Sequence, residues 1–237
     1  DARSCDLATI YAAFVQHAWN PAAGAFRNFM AYDRRWLEQV GSQDSFGRAL
    51  WSIGVTALES RRPDLRRWAE KLFDEVAPHA LGLDGLRSGG FAVLGAEAML
   101  RAVPGHRGAE TIVERFGERL HHAFAKSRRA EWRWFEPVLA YDNARLPEAL
   151  LLAGQREGDV AKIDVALDGV ERGVGLQSLD LARARIDGIE IARESEGDVV
   201  RDGPAAEFFR IARRADDGDG ARGEEGGKKV GHLGFLK

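Results

Sequence analysis

Apolar positions recur at helical spacing through the first two thirds of the chain. Leu65, Trp68, Ala69, Leu72, Phe73 and Val76 fall at i, i+3, i+4, i+7, i+8 and i+11, which is one face of a helix, with Pro63 at its first turn. Leu7, Ile10, Tyr11, Phe14, Val15 and Ala18 repeat the pattern. So do Phe46, Leu50, Ile53 and Ala57, behind Asp44 or Ser45 as N-cap. Ile112, Val113, Phe116, Leu120 and Phe124 form another stripe, and residues 91–100 predict a more apolar helix before it. A sixth helix is predicted over residues 143–153, and a fainter seventh on Ile163, Ala166, Leu167, Val170 and Val174. No alternating strand pattern appears before residue 180. Successive helices on short connections predict an all-α fold of antiparallel helical hairpins.

Two segments interrupt this rhythm, residues 20–48 and residues 131–147. Each sets aromatic side chains among carboxylates, Asn and Arg just ahead of a helix. Loops of that kind, held on a rigid scaffold, are where function concentrates.

Composition divides the chain in two. All six tryptophans and all three tyrosines lie before residue 142, whereas after Gly158 the only aromatics are Phe208, Phe209 and Phe235. That later stretch holds 13 of the 27 glycines and ends in a run rich in Gly, Asp, Glu and Lys. Aromatic side chains dominate core energetics, so residues 1–176 are expected to fold and residues 177–237 to form a poorly ordered Gly/charge-rich tail. The same compositional break matches an out-of-frame read of a GC-rich gene, which would make the chain a truncated, inactive product. The opening Asp1 in place of Met fits a processed product or a fragment.

Charge and cysteine content narrow the function classes. With 34 Lys and Arg against 37 Asp and Glu the net charge is −3, which gives no electrostatic case for nucleic acid or an anionic membrane. The lone Cys5 excludes an internal disulfide and a thiolate-only metal site. No apolar run approaches the ~20 residues that span a bilayer, so a cytoplasmic protein is expected. Residues 218–223 read Gly-x-Gly-x-x-Gly without the strand and helix that pattern needs. A calcium-loop reading of the same stretch fails because Ala215 and Gly226 occupy ligand positions. His121 and His122, adjacent on a helix, face different ways and do not form a metal site. No metal and no cofactor are expected.

The loop residues suit a different chemistry. Aromatic faces stack on apolar C–H surfaces while Asp, Asn and Arg bond hydroxyls in pairs, a combination that fits sugars. Glycoside cleavage needs two carboxylates, one as acid and one as base or nucleophile. Asp33, Asp44, Glu136 and Asp142 are the available carboxylates, with Asp33, Glu136 and Asp142 the acid/base candidates. Arg34, Asp44, Asn143 and Arg145 would position hydroxyls, and Trp36, Trp132, Trp134 and Tyr141 would offer stacking faces. The competing structural reading pairs Asp33 with Arg34 and Asp142 with Arg145, caps a helix with Asp44, and buries the tryptophans.

Two long motifs carry a family resemblance. Residues 26–38 (Phe-Arg-Asn-Phe-Met-Ala-Tyr-Asp-Arg-Arg-Trp-Leu-Glu) lead into residues 44–51 (Asp-Ser-Phe-Gly-Arg-Ala-Leu-Trp). Residues 134–136 (Trp-Phe-Glu) and 139–151 (Leu-Ala-Tyr-Asp-Asn-Ala-Arg-Leu-Pro-Glu-Ala-Leu-Leu) follow. Over about residues 7–157 the chain resembles the helical domain of bacterial glycosyltransferase-like proteins, in the six-hairpin glycosidase-like superfamily. The resemblance implies an α/α toroid, a sugar or oligosaccharide in its cleft, and an attached or partner glycosyltransferase domain. It implies either a glycosidase- or transferase-like enzyme or a non-catalytic glycan-binding or scaffolding module. Family members carry an acidic residue, a His and an Asp where this chain has Gln43, Phe46 and Pro137, departures that favour the module. At about 25 residues per helix, twelve helices would need about 300 residues, so the expected toroid is incomplete.

Overall fold

Seven helices form where the apolar stripes predict them. Among the described residues, 2–173, they are α1 (Ala2–Ala18), α2 (Gln43–Glu59), α3 (Pro63–Ala80), α4 (Leu86–Ala102), α5 (Arg107–Ser127), α6 (Arg145–Glu157) and α7 (Val160–Gly173). The tail expected over residues 177–237, with its glycine and acidic patterns, lies outside the described residues. No helix among the described residues is long and apolar enough to cross a membrane.

Element boundaries follow local chemistry that the stripes do not carry. The N-cap of α2 is Ser42, not Asp44 or Ser45, because the Ser42 hydroxyl accepts from the Ser45 N–H at 3.1 Å. Helix α6 starts later than predicted because Asn143 is tied to the loop: its amide donates to Ala140 O at 3.1 Å and accepts from Ala140 N at 3.2 Å. Helix α4 starts earlier, through Gly89 and Gly90, because both are buried against neighbouring helices and packing outweighs their poor propensity. Helix α6 ends at Gly158, whose φ of 68° is the left-handed conformation that glycine takes at little cost. A small antiparallel pair, β1 (Trp19–Asn20) with β2 (Ala25–Phe26), was not expected; two-residue strands are too short to show alternation.

The helices form two rows. Helix α2 packs most extensively on α4, and α4 in turn on α6. Along the first of these seams Gly47 meets Ser88, Trp51 meets Phe91 and Gly54 meets Gly95, so contacts advance together and the two helices run parallel. Helices α3, α5 and α7 pack behind them, each antiparallel to its predecessor across connections of a few residues. Helix α1 lies beside α3, with Gln16 accepting from Trp68 Nε1 at 2.9 Å and Glu75 accepting from Trp19 Nε1 at 2.7 Å. The α2–α4 seam is close because both helices present glycine: a Cβ on Gly54 would stand 2.0 Å from Gly95 O. The core between the rows holds Phe73, Phe91, Phe116 and Phe124 with Leu50, Ile53, Met99 and Leu146, all essentially without exposure.

This arrangement has a consequence for the loops. Helices α2, α4 and α6 begin at the same end of the fold, and residues 128–144, which join α5 to α6, cross that end.

Candidate functional site

At the shared N-terminal end of α2, α4 and α6, side chains from three distant segments converge. Asp44 and Arg48 sit one turn apart on the first turns of α2, with Arg48 Nε donating to Asp44 Oδ2 at 2.8 Å. The same guanidinium bonds Asp142 of the loop through Nη2. The Tyr141 hydroxyl donates to Asp44 Oδ1 at 2.8 Å. The Arg48 guanidinium also lies over the Phe91 ring at 4.3 Å. Burial raises the Tyr141 phenol above its ordinary value, and the hydrogen bond and negative charge of Asp44 raise it further, with Arg87 and Arg48 opposing. Tyr141 therefore stays a hydroxyl donor through the neutral range. The basicity of Arg48 is raised despite a burial penalty, through its bonds to Asp44 and Asp142.

A second arginine holds the loop from beneath. Arg87, in the first turn of α4, is only 8% exposed. Its Nε donates to Tyr141 O at 2.6 Å, its Nη2 to Asn143 Oδ1 at 2.9 Å, and its Nη1 bonds the Glu136 carboxylate. The guanidinium lies 5.1 Å from the Tyr141 ring centroid. Asp142 takes a positive φ of 48°, a conformation Asp tolerates better than most residues. Arg87 and Arg48 hold the backbone and side chain on either side of that bend.

Glu136, Tyr141, Asp142 and Asn143 are thus brought together with Asp44. The remaining candidates, Trp132 apart, are not. Asp33 lies at the tip of the loop between β2 and α2, where it accepts from Arg35 Nε at 2.7 Å. Its carboxyl is held below the usual range chiefly by that bond. Asp33 pairs with Arg35 rather than Arg34, which has a φ of 66°. Trp36 faces α1, its ring 5.9 Å from Phe14 and 5.2 Å from His17. Asp142 pairs with Arg48 rather than Arg145, which bonds Glu148 and lies 4.8 Å over the Trp51 ring. Trp134 is 1% exposed, packed edge-on to Phe135, and its indole N–H has no partner; it belongs to the core. Trp132 is half-buried and donates to Glu136 O at 2.7 Å, bracing the loop.

Arg48 and Arg87 were missed in the sequence, although each left a signal. Arg48 stands at i+4 from Asp44, the spacing of a helical ion pair. Arg87 is a lone charge at the head of the most apolar helix, where an unpaired cation would be costly. Two departures from the family pattern have structural jobs. Gln43 Oε1 accepts from Asp84 N at 2.7 Å and Gly85 N at 2.9 Å, while Phe46 packs on Trp19 and Phe26 in the core.

The cluster is partly open: Tyr141 is 53% exposed, and the Arg48 and Asp142 side chains 42% and 38%. Among the described residues no group of three or more His, Cys, Asp or Glu could hold a metal ion. Comparison with protein-family models, curated proteins and solved structures gives no match.

Proposed function

We propose that this chain is an arc of an α/α toroid that binds carbohydrate at the end where α2, α4 and α6 begin. The observation that carries the reading is the convergence of Asp44, Arg48, Tyr141 and Asp142 from segments 94 or more residues apart in sequence. Such a cluster offers paired donors and acceptors beside an exposed aromatic ring, the combination hydroxyl-rich ligands need. The succession of hairpins α2–α3, α4–α5 and α6–α7, with their first helices forming one parallel row, supports the toroid arc and the likeness to six-hairpin glycosidase-like domains. An attached or partner glycosyltransferase domain belongs to the same proposal.

Binding without turnover is the form the geometry favours. Cleavage needs two carboxylates facing one another across roughly 5 to 10 Å with the sugar between them. Between Asp44 and Asp142 stands the Arg48 guanidinium, bonded to both. Glu136 is likewise occupied by Arg87. The carboxylates therefore serve to orient Arg48, Arg87 and Tyr141.

Limited proteolysis and thermal unfolding with a panel of oligosaccharides test the reading. One saccharide is expected to stabilise the fold, and Asp142→Ala to weaken its binding about tenfold, the loss of one charge-assisted hydrogen bond, with an unchanged circular dichroism spectrum. Indifference to every sugar would overturn it. Hydrolysis of a chromogenic glycoside, abolished by Glu136→Gln, would replace the binding module with an enzyme.

A further inference from the structure

Beside the start of α4, on its α5 side, the surface carries an open recess of about 480 Å³, lined by Leu86, Glu118, Arg119, His122, Ala123 and Lys126. Arg119, His122 and Lys126 fall at i, i+3 and i+7, so one face of α5 turns three basic side chains toward it. The Arg119 guanidinium donates to Leu83 O and Asp84 O and lies 5.4 Å over the Phe116 ring. Both acceptors are neutral carbonyls, so Arg119 is fixed in place without a carboxylate cancelling its charge. Glu118, the acid of the lining, has its carboxylate 3.5 Å from Lys162 Nζ. His122 and Lys126 have no hydrogen-bond or ion-pair partner among the described residues. The lining is therefore net cationic, with two donors uncommitted and a third immobilised, over an apolar floor of Leu86 and Ala123.

We propose that this recess binds a small phosphate monoester. Lys126 and His122 take the phosphate oxygens, the fixed Arg119 supplies charge from the side, and the ester group rests on Leu86 and Ala123. The apolar surface of Leu86 and Ala123 gives an ester group a contact that a bare phosphate ion does not use. The inference does not depend on the carbohydrate reading.

The test uses the full chain, titrated at constant ionic strength with glycerol phosphate, with inorganic phosphate and with sodium chloride. The readout is the ring signals of His122 by nuclear magnetic resonance, assigned with His122→Asn. Saturable binding of glycerol phosphate is expected, tighter than inorganic phosphate, weakened about tenfold by Lys126→Ala and unaltered by Lys71→Ala on the exposed face of α3. Lys126 is exposed, so its truncation leaves the fold intact. A response shared by chloride, or one indifferent to Lys126→Ala, would overturn the site. Inorganic phosphate binding as tightly as the ester would overturn the ester assignment.

Discussion

Arg87 is one of the few charged residues buried among the described residues, and all three partners of its guanidinium hydrogen bonds lie on one loop. Truncation would leave the half-buried Glu136 carboxylate unpaired and the Tyr141 carbonyl without its donor. Arg87→Ala is therefore expected to cost about 2–4 kcal/mol in urea unfolding. Lys162 is the other buried cation among the described residues, its Nζ bonded to Glu157 and within 3.5 Å of Glu118. Because the carboxylates around it are partly exposed, Lys162→Ala is expected to cost less, about 1–3 kcal/mol, with Lys162→Met recovering part through its packed stem. Tyr141 gives a spectroscopic check. In a Tyr11→Phe, Tyr32→Phe background its ionisation, followed by ultraviolet absorbance, should fall above the ordinary value of about 10. Asp44→Asn should move it down, because Asp44 is a cause of the rise. A raised folded-state value means that the hydroxyl's contribution to stability is complete below the unfolded value of about 10. It is lost only as pH rises through the folded one, so neutral-pH stability should not depend on this group's titration.

At the scale of elements, the α2–α4 seam and the α5–α6 loop behave differently under substitution. Gly54→Ala would set a Cβ against the Gly95 carbonyl, backbone against backbone with no side chain free to yield. A loss of about 1–3 kcal/mol is expected from such overpacking. Gly105→Ala meets nothing within 4 Å but carries a φ of 81°, so its cost is conformational only; a smaller loss in the same urea series would separate the two causes. The loop depends on the arginines more than on apolar burial. Val138, Leu139 and Tyr141 are exposed, whereas Trp134 and Phe135 anchor its start. In Arg87→Ala, protease cleavage is expected first within residues 137–142, with the helical circular dichroism unchanged. Cleavage within α4 or α6 instead would place Arg87 among the supports of the bundle.

At the scale of the described residues as a whole, two rows of helices put three helix starts at one end, and this stacking brings the Asp44, Arg48, Tyr141 and Asp142 cluster together. The apolar stripes announced six or seven helices and their hairpin connections because that periodicity is written in the residues themselves; α2 to α7 each bury the striped face, whereas Leu7, Ile10, Tyr11 and Phe14 of α1 are exposed. Rows are harder to read. Which helix lies beside which depends on close approaches such as Gly47 against Ser88 and Gly54 against Gly95, between residues some 41 positions apart. The separation of Asp33 and Trp36 from Glu136 follows from the same fact. Their loop folds back on itself through Ala31 N to Arg35 O at 2.8 Å and Leu37 N to Phe29 O at 2.9 Å, and turns Trp36 toward α1.

Sequence alone therefore determined the mostly helical character of the described residues, the helix stripes, and the two loops that mix aromatic and charged side chains. Those depend on local periodicity and on residue types. Only the tertiary structure decided the distant pairings, Asp142 with Arg48 and Glu136 with Arg87, and put Trp134 in the core. An ion pair between distant segments forms where packing brings two side chains within about 3 Å, and packing is a property of all the helices together. Arg145 was nearer to Asp142 in sequence; Arg48 was nearer in space.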